Sequence, residues 1–138
     1  MAIYLDTEFN GFGGNLISIG LVSNHTGKEF YGVLPLPEKI HPWVQEHVLP
    51  YLLGDSEPWH NLSFRLYQYL KYHEGEEIIA DWPADLEHLL GLLYQDGGMS
   101  YNLELDLKLI QSGKLNPEFP HNALSDAKAL MHWHINNK

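Results

Sequence analysis

Three short stretches of this chain hold side chains whose types and spacing suit binding of divalent cations. Asp6 and Glu8 stand one residue apart in Ile3-Tyr4-Leu5-Asp6-Thr7-Glu8-Phe9. Asp81 and Asp85 follow in Ala80-Asp81-Trp82-Pro83-Ala84-Asp85-Leu86, and His121 precedes Asp126 in His121-Asn122-Ala123-Leu124-Ser125-Asp126. Because side chains alternate along a strand, Asp6 and Glu8 point to one side of an otherwise apolar segment. Two acids so placed repel one another and lose hydration, which cations or protons must offset. A metal site satisfies that requirement, and a solvated face on an edge strand is the alternative. The chain has no cysteine, so a metal would take oxygen or imidazole ligands.

The elements that must position these groups follow from the pattern. A Gly-rich turn after Phe9 leads into the apolar run Leu16–Val22, and Asn24-His25-Thr26-Gly27 turns the chain into Lys28–Leu34. Three strands joined by short turns make an antiparallel meander. Pro42 opens a short helix that Pro50 closes. Ser56 or Asp55 is placed to cap a second helix carrying Leu62, Leu66, Tyr69 and Leu70. Glu76–Ala80 reads as a fourth strand, and a helix from Pro83 follows with Leu86, Leu89, Leu90 and Leu93 on one face. A fifth strand is expected over Met99-Ser100-Tyr101-Asn102, then a helix through Leu103, Leu107 and Ile110 that stops at Gly113. The last helix begins near Asn122 and runs through Ala127, Leu130, Met131 and His134. The acid pairs and His121 therefore fall at strand ends and helix starts, where α/β folds place their sites.

This order matches the ribonuclease H-like architecture: an α/β fold with a mixed five-stranded sheet, three antiparallel strands then parallel ones, flanked by helices. At the level of motifs, Leu5-Asp6-Thr7-Glu8-Phe9, the apolar Leu16-Ile17-Ser18-Ile19-Gly20 and His121…Asp126 resemble the DEDDh family of 3′–5′ exonucleases. That group includes proofreading exonuclease subunits, ribonuclease T and oligoribonuclease. The family's second motif has Asn, three residues, then a ligand Asp. Here Asp81 stands in the Asn place, so Asp85 is assigned as the ligand and Asp81 as an accessory polar residue, with the question of which faces the metals left open. Asn10-Gly11, Phe30–Val33 and the segment His41–Pro50 look like a small exoribonuclease branch found in bacteria and phages.

The resemblance implies a two-metal exonuclease that releases nucleoside 5′-monophosphates from single-stranded 3′ ends, RNA being favoured over DNA. Two Mg²⁺ or Mn²⁺ ions, about 3.5–4 Å apart, would be held by Asp6, Glu8, Asp85 and Asp126, with Asp6 bridging. His121 would be the general base, since imidazole exchanges a proton near neutral pH, and its place on a loop ahead of the last helix lets it swing toward the attacking water. Glu8 would also hold the terminal 3′-hydroxyl, with Phe9, Asn10, Phe12 and Trp82 as the further substrate-binding residues, their rings stacking on or wedging between bases. A core role for those aromatics is the plainer reading. Other functions are a DNA exonuclease, a module that grips nucleic-acid ends without cutting, and a purely structural acidic domain.

At 138 residues, the chain reads as one domain over 1–138, and its 44% hydrophobic content fits a packed core. A formal net charge of −10, with eight Lys and Arg spread along the chain, argues against a broad electrostatic nucleic-acid footprint. Nucleic acid would instead be gripped at one end, where bound cations meet a phosphate. With no signal-like start and no apolar run of spanning length, a cytoplasmic location without membrane contact is expected. Homodimerisation is compatible with so small a chain, a second subunit completing the cleft. His132 and His134 are two apart, which on a helix points them in different directions and indicates surface or packing roles. Glu74, Glu76 and Glu77 read as a solvated turn, and Asp96, Glu104 and Asp106 as surface or capping residues.

Overall fold

Strand β1 (Ala2–Phe9) runs through the middle of the protein in a computed structural model that describes residues 1–95, 98–99 and 101–137. Strand β2 (Leu16–Ser23) is buried throughout and pairs antiparallel with β1, setting Asp6 opposite Gly20 and Glu8 opposite Ser18. Strand β3 (Glu29–Val33) completes the antiparallel meander against β2. The chain then forms helix α1 (Pro42–His47), a 3-10 turn (Leu49–Tyr51), helix α2 (Trp59–Tyr72), strand β4 (Glu77–Ala80) and helix α3 (Pro83–Leu93). A small ribbon of β5 (Tyr94–Gln95) and β6 (Gly98–Met99) precedes strand β7 (Asp106–Leu109) and helix α4 (Ala123–Asn136). The main sheet has the order β3-β2-β1-β4-β7, with β4 parallel to β1 and β7 parallel to β4. The architecture is thus α/β, a mixed five-stranded sheet flanked, among the described residues, by four helices.

Alternation along β1 divides the core. Ile3 and Leu5 join Leu62 and Leu66 of α2, Ile78 of β4 and Leu89 and Leu92 of α3 on one face. Tyr4 belongs to the other face, with Val22, Ile79, and Ala127 and Leu130 of α4. Each fully buried Leu or Ile contributes about 1.5–3 kcal/mol, so these two layers fix the register of β1. Asp6 and Glu8 continue the Tyr4 side of the strand. At its far end Tyr4 Oη and His134 Nδ1 lie 2.7 Å apart, which gives His134 the packing role expected of it. No helix among the described residues is long and apolar enough to cross a membrane.

The region after α3 departs from expectation. Leu103, Leu107 and Ile110 have helical spacing, yet residues 106–109 form β7, which pairs with β4 over Glu77↔Asp106 to Ala80↔Leu109. The free edge of β4 offers unpaired backbone groups, and the period-two run Leu103, Leu105, Leu107 packs on the α2/α3 side of the core. Tertiary pairing overrides the helical reading. Gly113 is no helix stop; a side chain there would crowd Trp133 of α4, with a Cβ 3.0 Å from its Nε1. The expected strand over 99–102 is replaced by the ribbon ending at Met99, while Ser100, like Asp96, lies outside the described residues.

Other local corrections have simple causes. α2 starts at Trp59 behind Pro58 with no side-chain cap, so neither Asp55 nor Ser56 performs that task. Pro50 sits within the 3-10 turn rather than ending α1. Glu76 is buried and accepts a 2.7 Å hydrogen bond from Ser23 Oγ, and Glu77 lies in β4 facing Lys108 at 3.8 Å; neither belongs to a solvated turn.

One close approach positions the site. A Cβ at Gly20 would run into the Leu124 backbone nitrogen and lie 2.6 Å from the Ala123 carbonyl carbon, so α4 begins directly on β2 beside Asp6. Gly20→Ala is expected to lower the free energy of unfolding in urea by about 1–3 kcal/mol, as overpacking does. Gly91→Ala, in α3 with open space around it, should instead stabilise by about 0.5–1 kcal/mol through helix propensity. Equal effects would show that the Gly20 contact is not tight.

Candidate metal centre

The carboxyl ends of the parallel strands β1 and β4 receive the first turns of two helices. β1 brings Asp6 and Glu8, and the end of β4 brings Asp81. Pro83, whose fixed φ and missing N–H suit a first helical position, starts α3 and puts Asp85 in its first turn. Asn122 caps α4 by accepting from the Ser125 N–H at 3.1 Å, which places Asp126 in that helix's first turn. His121 stands immediately ahead of this cap with φ +67°, a left-handed conformation that costs a non-glycine residue about 1–3 kcal/mol.

These residues gather into two groups. One oxygen each from Asp6, Asp81 and Asp85 lie within 4.8 Å of one another, and so do one ligand atom each from Glu8, His121 and Asp126. All six side chains singled out in the sequence therefore converge at one end of the sheet. Both Asp81 and Asp85 face this end, so the second motif supplies two carboxylates to it.

Their hydrogen bonds differ. Asp85 is only 2% exposed, and its Oδ1 accepts from Thr7 Oγ1 at 2.6 Å and from the Thr7 N–H at 3.2 Å. Asp85 Oδ2 and Asp6 Oδ2 are enclosed by protein and, among the described residues, accept no hydrogen bond. Asp81 Oδ2 accepts from Ser112 Oγ at 2.7 Å. Two buried carboxylate oxygens without donors, aimed into a group of other acids, form a concentration of unanswered negative charge.

The titration of these groups reflects it. Burial, then the neighbouring Asp85, Glu8, Asp126 and Asp81 charges, hold Asp6 well above the ordinary carboxylate range. Burial and the Asp126 charge push Glu8 up to about 9. Burial also lifts Asp85 to about 7 against the opposing hydrogen bond from Thr7. Asp126 is raised by burial, offset in part by hydrogen bonding to Glu8 and by His121. Desolvation dominates throughout, which is the circumstance in which a divalent cation replaces protons. The donor set, carboxylate oxygens plus one imidazole, fits hard cations such as Mg²⁺ or Mn²⁺.

The remaining candidates line the approaches. Phe9, Phe12, Trp82 and His88 border a groove of about 390 Å³ beside the acids. Phe12 is 97% exposed at the tip of its turn and Trp82 is 52% exposed, whereas the Phe9 ring packs on His88 with centroids 4.9 Å apart. Asn10 uses its amide locally: Nδ2 donates to the Lys39 carbonyl at 2.7 Å and Oδ1 accepts from the His41 N–H at 2.8 Å.

Several participants escaped the sequence reading. Thr7, between the two acids, points to the opposite side of β1 and there meets Asp85; its place in the strand alternation was the available signal. Ser112 reaches Asp81 from the coil after β7, a contact that no local pattern announces. Trp43 and His47 of α1 stand beside His121, with ring centroids 5.1 and 6.2 Å away. Their i, i+4 spacing on a short helix was legible as a ring pair, though not its neighbour.

No protein-family model matches the chain, and no curated protein matches it in sequence.

Since the unfolded chain releases its carboxyl protons near pH 4 and the folded site retains some up to about pH 7 for Asp85 and about pH 9 for Glu8, raising pH through this window removes protons that only the native state binds. Metal-free protein should therefore lose thermal stability steadily from about pH 5 to about pH 9. Millimolar Mg²⁺ or Mn²⁺ should flatten that decline. At pH 8 without metal, Asp6→Asn should melt about 3–10 °C above the parent, since it removes an acid that folding must either bury charged among like charges or protonate at a cost. A melting temperature that rises with pH, or a destabilised Asp6→Asn, would contradict this electrostatic account.

Proposed function

We propose that this chain is a metal-dependent 3′–5′ exonuclease of the DEDDh type, built on a ribonuclease H-like sheet and acting on single-stranded nucleic acid, RNA in preference to DNA. The observation that carries the reading is the convergence of Asp6, Glu8, Asp81, Asp85, Asp126 and His121 at the carboxyl end of β1 and β4, with two buried carboxylate oxygens left without donors. A structural acidic domain gives no reason for gathering like charges out of water. An end-binding module gives no reason for an imidazole beside them.

Asp6, Asp81 and Asp85 would hold one cation, and Glu8, Asp126 and His121 flank the place of a second. When bound, the pair supplies positive charge against the scissile phosphate and eases activation of water. His121 would take the proton from the attacking water, for which its position next to Glu8 and Asp126 is suited. Asp126 orients that imidazole by charge and Glu8 reaches the terminal 3′-hydroxyl. Phe12 and Trp82, exposed on the rim of the neighbouring groove, offer faces on which the last bases can stack. The preference for RNA rests on the resemblance of Asn10-Gly11 and 41–50 to the small exoribonuclease branch. With a net charge of −10, the protein would hold its substrate at the end and release it readily along its length.

The test is hydrolysis of 5′-labelled single-stranded RNA and DNA with Mg²⁺, Mn²⁺ or EDTA. The expected result is a ladder shortening from the 3′ end, faster on RNA, absent in EDTA and in Asp6→Ala. His121→Ala should slow it about 10²–10⁴-fold. Cleavage of neither strand under any metal would defeat the reading in favour of an end-binding module.

A further inference from the structure

We infer that the stacked Trp43–His47 pair of α1 sets the ring position of His121 and that Asn10 clamps this pair to the acid-bearing strand; the consequence for hydrolysis rests on the exonuclease reading above. The Trp43 and His47 rings stack with centroids 4.5 Å apart and planes 17° from parallel. His121 stands nearly perpendicular to both, at 83° and 80°, with centroids 5.1 and 6.2 Å away. The three centroids therefore form a compact triangle in which the imidazole borders both members of the stack. Perpendicular arrangements of this kind are favoured by ring quadrupoles and restrict rotation about χ1 and χ2. Asp126 adds its charge and a hydrogen bond with the His121 backbone, so the rings act together with this acid on a loop residue of left-handed conformation.

The stack is itself held. His41 Nδ1 accepts from the Trp43 N–H at 3.2 Å, capping α1, and His47 Nδ1–H donates to the Trp43 carbonyl at 3.0 Å. Val44 and Val48 anchor the opposite side of the helix on Ile17 of β2. Asn10, two residues after Glu8, grips the 39–41 segment through both atoms of its amide. From the other direction Asn122, next to His121, donates from Nδ2 to the Tyr51 carbonyl at 2.9 Å in the turn that follows α1. A closed circuit of contacts thus runs from the acids through Asn10, α1 and His121 to α4. Trp43 is 47% exposed and its ring meets those of His47 and His121.

Trp43, His47 and Asn10 are in this view positioning residues. A general base misplaced by about 1 Å loses on the order of 100-fold in rate while leaving substrate affinity almost untouched. The experiment uses the full chain in two ways. In the metal-free protein, with histidines ¹³C-labelled and at one pH, the His121 Cε1–Hε1 resonance should be displaced from that of free imidazole. It should move in Trp43→Ala, move less in Asn10→Ala, and stay near the parent position in Trp43→Phe. With Mg²⁺ and an RNA oligonucleotide, Trp43→Ala should lower kcat about 10–100-fold with KM within about threefold. Trp43→Phe should recover most of that loss. Trp43→Ala combined with His121→Ala should be no slower than His121→Ala alone.

An unmoved His121 resonance in Trp43→Ala overturns the bracket, and an unmoved one in Asn10→Ala overturns the clamp. A raised KM with additive losses would make Trp43 a platform for a base and overturn the positioning role. A parent that cleaves neither RNA nor DNA would defeat the exonuclease reading, while the resonance of Trp43→Ala would still uphold or overturn the bracket.

Discussion

The mutual repulsion of carboxylates withdrawn from water governs this structure. Asp6, Glu8, Asp81, Asp85 and Asp126 are brought together where the solvent that would screen them is partly excluded, and Asp6 and Asp85 each keep one oxygen without a donor. Nothing in the hydrophobic layers requires this. Replacing Asp6 by a neutral side chain of similar shape would relieve the electrostatics and leave the packing as it is. The rest of the fold must therefore oppose a force that acts to separate β1, β4, α3 and α4 at one end.

The opposition comes from both ends of the scale. Locally, Asp85 and Asp126 occupy first helical turns, where unpaired backbone N–H groups and the helix dipole favour an anion by about 0.3–1 kcal/mol each. Thr7 adds two donors to Asp85 from the opposite side of the strand that presents Asp6 and Glu8. At longer range, β1 is central in the sheet and bears an apolar cluster on each face. Gly20 lets the start of α4 lie against β2, opposite Asp6 in the sheet, and this proximity makes the cluster possible. Packing and repulsion are thus balanced within a few residues of one another.

How far this could be read beforehand depended on whether the signal was local. The β1–β3 meander was legible because its strands are apolar, short and separated by Gly- and Asn-containing turns. Pro83 and Asn122 announced the starts of α3 and α4, and the acids near them followed. β7 was misread because Leu103, Leu107 and Ile110 fit a helical period and Leu103, Leu105 and Leu107 fit a strand period equally well. The free edge of β4, which no local pattern contains, decided between them. Glu76 looked like a solvated acid because its partner, Ser23, lies in another strand. The six residues that converge at the end of β1 and β4 were singled out by type and spacing. The bonds of the Asn10 amide to the backbone of residues 39 and 41 were not, since no local pattern contains them.

The same distinction bears on how a site of this kind keeps its geometry. Acids that repel cannot hold one another in place, so their positions are imposed from outside by strands and helix starts. An imidazole on a loop has neither strand nor helix behind it. His121 is instead surrounded by contacts that reach back to the two segments carrying the acids: through α1 and Asn10 to β1, and through Asn122 to α4. Orientation in the acid cluster and in the loop thus has different sources, backbone hydrogen bonding in the first and ring packing in the second. The two are of similar strength per contact, about 0.5–1.5 kcal/mol for an aromatic pair beyond the area it buries and about the same net for a hydrogen bond. His121 therefore takes its place from two sources at once, the ring stack of α1 and the neighbouring Asp126 and Glu8, and only the first lies outside the acid cluster.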